Sequence, residues 1–201
     1  MATTRRMGSQ NAETRTVLMD ATEMIMREEG YAALSSRRVA ERAGVNQQTV
    51  YYYFQTMDDL LLTTYRRRTH KVLDDLGRAV AAERPLHELW QIMSDPFEAA
   101  LTMEYLALAN HNAAIRLETI QFGERLRRIE ADRLAERVDA SHGEKPVATP
   151  LAVITTLMYV AHVLGFESAI GIRAGHKDVR ALVEWSLRQL EPANSRLKVP
   201  G

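Results

Sequence analysis

The sequence predicts an all-α protein of about nine helices, an N-terminal three-helix unit followed by a larger helical one. Three observations carry this. Apolar residues recur at three- and four-residue spacing along almost all of the 201 residues, and no stretch alternates as a strand does. Pro85, Pro96 and Pro150 stand where first-turn prolines belong, since the first N–H groups of a helix have no internal partner to lose. Ser35 and Asn46 precede helical runs and Gly44 follows one, as helix starts and stops require.

In chain order, helices are expected at residues 13–29, 36–43, 47–54, 57–82, 86–93, 96–110, 112–138, 150–172 and 178–190. In the second, Ser35 caps the start, Val39 and Ala40 turn inward, and small Ala40 and Ala43 let the next helix cross closely. Gly44 supplies the left-handed conformation that ends it. Val45 seals the corner and Asn46 opens the third helix, where Val50 and Phe54, four apart, share the inward face. The fourth carries Arg66, Arg67 and Arg68, equally readable as a solvated face or as phosphate contacts. The sixth is apolar almost all round and should be buried centrally. The eighth shows a small apolar row, Val153, Leu157, Ala161, Leu164 and Ser168, with Gly165 and Gly171 allowing close helix approach, expected as an exposed pairing face and also suited to closing the chain's own core. The ninth has a broad apolar face of Val179, Leu182, Val183, Trp185, Ser186 and Leu190. Residues 141–149 are the clearest loop, and 191–201 should fray. Domains are expected at 11–65 and 66–190, with flexible tails at 1–10 and 191–201.

The run from Leu34 to Leu62 is the most informative. Once Val50 and Phe54 face inward, Gln47, Gln48, Thr49, Tyr51, Tyr52 and Tyr53 remain around the rest of a short helix. Such residues are poor core material but reach phosphates and base edges, so the segment reads as a helix-turn-helix that binds double-stranded DNA. Two short amphipathic helices with an Ala-Gly corner also occur in many all-α proteins that touch no DNA. Formal net charge is zero, but residues 1–72 hold eleven Lys/Arg against eight Asp/Glu. Local charge, not the total, sets phosphate contacts.

Residues 15–62 resemble the N-terminal domain of the TetR family of bacterial transcriptional regulators. Leu18, Ala21, Ile25, Met26, Gly30 and Tyr31 match its first helix, and Leu34, Ser35, Arg37, Val39, Ala40, Ala43, Gly44 and Val45 its second helix and turn. Thr49, Val50, Tyr51, Tyr53 and Phe54 match its recognition helix, and Asp58, Asp59 and Leu60 its entry to the fourth. Arg37 resembles a family position that reaches a base; Asn46, Gln47, Gln48, Thr49, Tyr51, Tyr52 and Tyr53 are expected at the DNA from their types and placement, with Gln47 and Thr49 as further base readers. The resemblance also implies a homodimer, joined here by the last two long helices, and a larger domain for effector binding and dimerisation. One departure stands out. The family usually places Lys before the acidic pair, and here Met57 occupies that place. Arg5, Arg6 and Arg15 are the expected compensation.

For the larger domain, a small apolar or amphipathic effector is expected, lined by Trp90, Met93, Phe97, Tyr105, His111, Phe122, Met158, Tyr159, His162 and Phe166. Most of these are equally good core residues, but Tyr159 and His162 put polar tips into a greasy helix, and buried polar groups need partners. Other classes are weakly supported. The six histidines show no metal-ligand spacing, there is no cysteine, and no Gly-x-Ser-x-Gly elbow or phosphate-cradling glycine loop exists, so neither an enzyme, a cofactor nor a metal site is expected. No apolar segment follows Arg5 and Arg6 as in a signal peptide. Residues 146–166 are uncharged, but two prolines, three threonines, Tyr159 and His162 interrupt them, which argues against a membrane span. A cytoplasmic repressor released from a palindromic operator by its effector is the expectation. A constitutive DNA-binding regulator or scaffold without an effector is the alternative.

Overall fold

The computed structural model describes residues 2–138 and 149–191. Among them lie nine α-helices and a short 3-10 turn, and no strand. The helices are α1 (Ala2–Glu28), α2 (Ser36–Ala43), α3 (Gln47–Tyr53), α4 (Met57–Ala81) and α5 (Pro85–Met93), then α6 (Pro96–Leu108), α7 (Ala113–Val138), α8 (Pro150–Ile170) and α9 (His176–Leu190), with the 3-10 turn at Tyr31–Ala33. All nine expected helices are present, and most ends fall within two residues of expectation. The exception is α1, which begins at Ala2 rather than residue 13. Thr, Arg, Met and Gln there are tolerable helix formers, and periodicity alone gave no reason to extend the helix over them. The expected loop at 141–148 and the tail at 192–201 lie outside the described residues.

Two compact units emerge, one of residues 1–72 with 101–122, the other of 73–100 with 123–201. The first therefore takes in a segment far along the chain from the N-terminal helices. It holds two apolar clusters. Leu18, Met19, Ala21 and Ile25 of α1 close on Val39, Ala40, Val50, Phe54 and Leu60. Met26, Leu61 and Tyr65 close instead on Leu101, Tyr105, Leu108, Ala109 and Ile115. In this second cluster Tyr65 and Tyr105 stack at 4.3 Å between ring centroids. Glu104 also reaches back, its carboxylate accepting from the Tyr31 N–H at 3.0 Å.

In the second unit, α5 packs on α8 and α9. Leu86, Leu89, Trp90 and Met93 are buried, as are Ile154, Leu157, Met158, Ala161 and Leu164 of α8 and Val183 and Leu187 of α9. A Cβ built on Gly165 would fall 2.2 Å from the Cβ of Ala99, so α6 and α8 touch through that glycine. Gly171 does a different job from the one its sequence suggested. At φ 93° it is the left-handed cap of α8, its N–H donating to the carbonyls of Glu167 and Ser168.

The outward face of α8 corrects the reading of its sequence. The small apolar row Leu157, Ala161 and Leu164 closes the unit's own core, so it is not the exposed face. Tyr159, Val163, Phe166 and Ile170, spaced i, i+4, i+7 and i+11, are exposed instead. α8 is long and apolar enough by composition to cross a bilayer, but its inward face is packed in this unit.

Candidate nucleic-acid interface

The α2–turn–α3 segment is built as its residues dictate. Ser35 is extended and its hydroxyl accepts from the Arg38 N–H at 3.2 Å. Gly44, at φ 68°, ends α2 in the left-handed region, and the Val45 N–H donates to Ala40 at 3.0 Å. Asn46 Oδ1 accepts from the backbone N–H of Thr49 at 2.9 Å, opening α3. Ion pairs brace α2 against the end of α1. Arg38 meets Glu29 at 2.7 Å and Glu41 at 3.1 Å, and Arg42 meets Glu28 at 2.5 Å. The hydrogen bond from Arg38 holds the Glu29 carboxyl below its ordinary range.

With Val50 and Phe54 inward, the rest of α3 is left to solvent. Arg37, Gln47, Gln48, Tyr51 and Tyr52 are exposed. Arg37 and Gln48 have no partner within the chain among the described residues. The others are tethered. Gln47 Nε2 donates to Ser36 Oγ at 2.7 Å, and the Tyr51 hydroxyl donates to the same oxygen at 3.0 Å. The Thr49 hydroxyl donates to Asn46 Oδ1 at 2.9 Å. The half-buried Tyr53 donates to Asn11 Oδ1 at 2.9 Å and meets Tyr52 edge to face. Ser36 and Asn11 escaped the sequence reading. Ser36 looked like an ordinary first residue of a helix, and Asn11 lay before the expected start of α1.

The neighbouring charges sort themselves. Met57 is half-buried against the first apolar cluster. α4 opens on Thr56, whose hydroxyl accepts from the Asp59 N–H at 3.0 Å, while the Asp59 carboxylate accepts from the Gln55 N–H at 3.2 Å. Arg15 lies over the Phe54 ring, 4.8 Å from its centroid. The arginine run of α4 turns to other residues of its own unit. Arg66 meets Glu118 at 2.7 Å, Arg67 meets Asp20 and Glu23, and the buried Arg68 donates to Thr102.

The ten effector-lining candidates divide between the units, three in the first and seven in the second. Tyr105 is buried, burial pushes its phenol up, and its hydroxyl has no hydrogen-bond partner among the described residues. Phe122 is half-buried and His111 exposed. In the second unit Trp90, Met93 and Met158 are buried and His162 half-buried, whereas Phe97, Tyr159 and Phe166 are exposed. The reason for the last two is the rotation of α8 described above. A shallow surface pocket of about 340 Å³, lined by Asp75, Arg78, Ala79, Ala82, Glu88 and Ile92, includes none of the ten. Among the described residues no group of three His, Cys, Asp or Glu side chains could hold a metal.

Comparison with known proteins bears on this head directly. Residues 18–64 match the model of the bacterial regulatory proteins of the tetR family. Over 82 residues the chain is 34% identical to the HTH-type transcriptional repressor KstR of Rhodococcus jostii, a match spanning 41% of this chain and 38% of that repressor's length. The fold as a whole is shared with a transcriptional regulator from Saccharomonospora viridis in complex with choline (TM-score 0.71, 20% identity, 91% of this chain and 97% of that one). It is shared as well with the fatty acid degradation regulator FadR of Bacillus halodurans (TM-score 0.64, 20% identity, 90% and 96%). Residues 18–64 thus carry a helix-turn-helix of the tetR-family type, on a helical fold that these solved structures share.

Proposed function

We propose that this chain is a DNA-binding transcriptional regulator, most simply a repressor, that works as a homodimer in the cytoplasm. The observation that carries the reading is the division of α3. Its inward residues are fully used by the core, while Gln47, Gln48, Tyr51 and Tyr52 stand exposed, as does Arg37 of α2. A monomer of this kind reads few base pairs, so two are needed to read half-sites about 34–36 Å apart. The pairing surface is the outward stripe of α8, Tyr159, Val163, Phe166 and Ile170, with Leu182 and Trp185 of α9, which are 62% and 56% exposed. Apolar surface of that extent calls for a partner, and two helices from each copy make a four-helix bundle.

Effector control is the finer part of the proposal. Tyr105, whose buried hydroxyl has no partner among the described residues, is the candidate for a polar contact to a small amphipathic molecule. One solved structure of this fold holds choline and another is a fatty acid degradation regulator, but at about 20% identity neither property is carried to this chain. The outward turn of Tyr159 and Phe166 removes two expected lining residues and favours a second reading, a constitutive regulator without an effector. The test is selection of an operator from random duplexes, followed by titration at several salt concentrations and a thermal-shift screen of amphipathic compounds. Saturable preference for a palindrome supports the regulator. A compound that raises the melting temperature and releases the operator supports the sensor, and tight operator binding without such a compound supports the constitutive form.

A further inference from the structure

We infer that Ser36 is a positioning residue for base recognition, and that it sets Gln47 to read adenine. This rests on the DNA-binding proposal and adds which base is read and how. Ser36 is only 7% exposed, at the start of α2, yet its Oγ accepts from two residues of the next helix, Gln47 and Tyr51. Both of its lone pairs are therefore engaged by α3. The consequence for Gln47 follows from its inventory. A primary amide has two N–H donors and one carbonyl oxygen. One N–H goes to Ser36, and among the described residues no other partner takes the second N–H or the oxygen. One donor and one acceptor side by side are what an adenine edge takes in the major groove, donating to N7 and accepting from the N6 amino group. Guanine presents two acceptors at the same edge and satisfies only the donor.

Tyr51 is constrained in the opposite sense. Its proton is committed to Ser36, so its oxygen can only accept, which ill suits a phosphate, itself only an acceptor. Its exposed ring is then best used against apolar groups such as a thymine methyl. Without the serine hydroxyl both side chains regain their rotational freedom. The amide can then flip, presenting two donors as easily as a donor and an acceptor.

The test uses the full-length protein and its selected operator. Each base of one half-site is varied in turn, and each adenine is separately replaced by 7-deazaadenine, which lacks the N7 acceptor. The native protein should lose about 5- to 150-fold in affinity at one adenine per half-site on base substitution, with a loss at the same position on deaza replacement. Gln47→Ala should erase the preference there. Ser36→Ala should also reduce it while binding to unrelated duplex stays unchanged, and Ser36→Thr, which keeps the hydroxyl, should restore it. The deaza measurement needs no variant and decides the base even if Ser36→Ala folds poorly. Full discrimination by Ser36→Ala overturns the positioning role, and a preference surviving Gln47→Ala overturns the assignment of the base. If the native protein selects no operator, the DNA-binding reading itself falls, a result distinct from either.

Discussion

Arg37 and Met57 show how far a single residue could be read from sequence. Arg37 is exposed with no partner among the described residues, so its guanidinium is available for a guanine edge. Arg37→Ala should cost about 1–3 kcal/mol on the preferred operator and relax one position per half-site, as titration on operator and scrambled duplex will show. Equal losses on both would make it a phosphate contact. Met57, read as a missing phosphate contact, is occupied otherwise, with its side chain against the apolar cluster of α1 to α3. Met57→Lys should therefore leave the salt dependence of binding unchanged, where a new phosphate contact would add about 0.9 to the slope. The capping residues were legible because each bond is local. The tether from Tyr53 to Asn11 was not, since it spans forty-two positions and depends on how two helices pack.

At the scale of elements, periodicity located the helices but did not fix the rotation of α8. Both its faces are apolar, and only packing on α5 decides which turns inward. Gly165 is the marker of that choice. Glycine to alanine within a helix ordinarily stabilises by about 1 kcal/mol. Here the added methyl would fall on Ala99, so Gly165→Ala should instead destabilise by about 1–3 kcal/mol in urea unfolding. The α1–α2 brace has a pH signature. Because Arg38 lowers the folded-state pKa of Glu29, the pair contributes in full above the ordinary value of 4.5 and fades as pH falls through the folded value. The melting-temperature gap between native protein and Glu29→Gln should accordingly shrink between about pH 6 and about pH 3.

The whole molecule, as we propose it, is a pair. Trp185→Glu would put a charge on the apolar stripe that α8 and α9 leave uncovered, and should shift sedimentation toward monomer. Operator affinity should fall with it, while affinity for a single half-site holds, because linkage between two heads is what a dimer adds. A variant that stays dimeric would move the interface elsewhere.

The segment 101–122 bears on how regulators of this kind can be recombined. Leu101, Tyr105, Leu108 and Ile115 complete the apolar seat of Met26, Leu61 and Tyr65. A splice after residue 72 that grafts these N-terminal helices onto a foreign sensor would strip that seat and leave three buried side chains facing water. A hybrid should fold only if its donor sequence restores the seat or carries residues 101–122 along. A portable N-terminal unit in this chain thus draws on two separate stretches of sequence, and a crossover at residue 72 transfers only one of them.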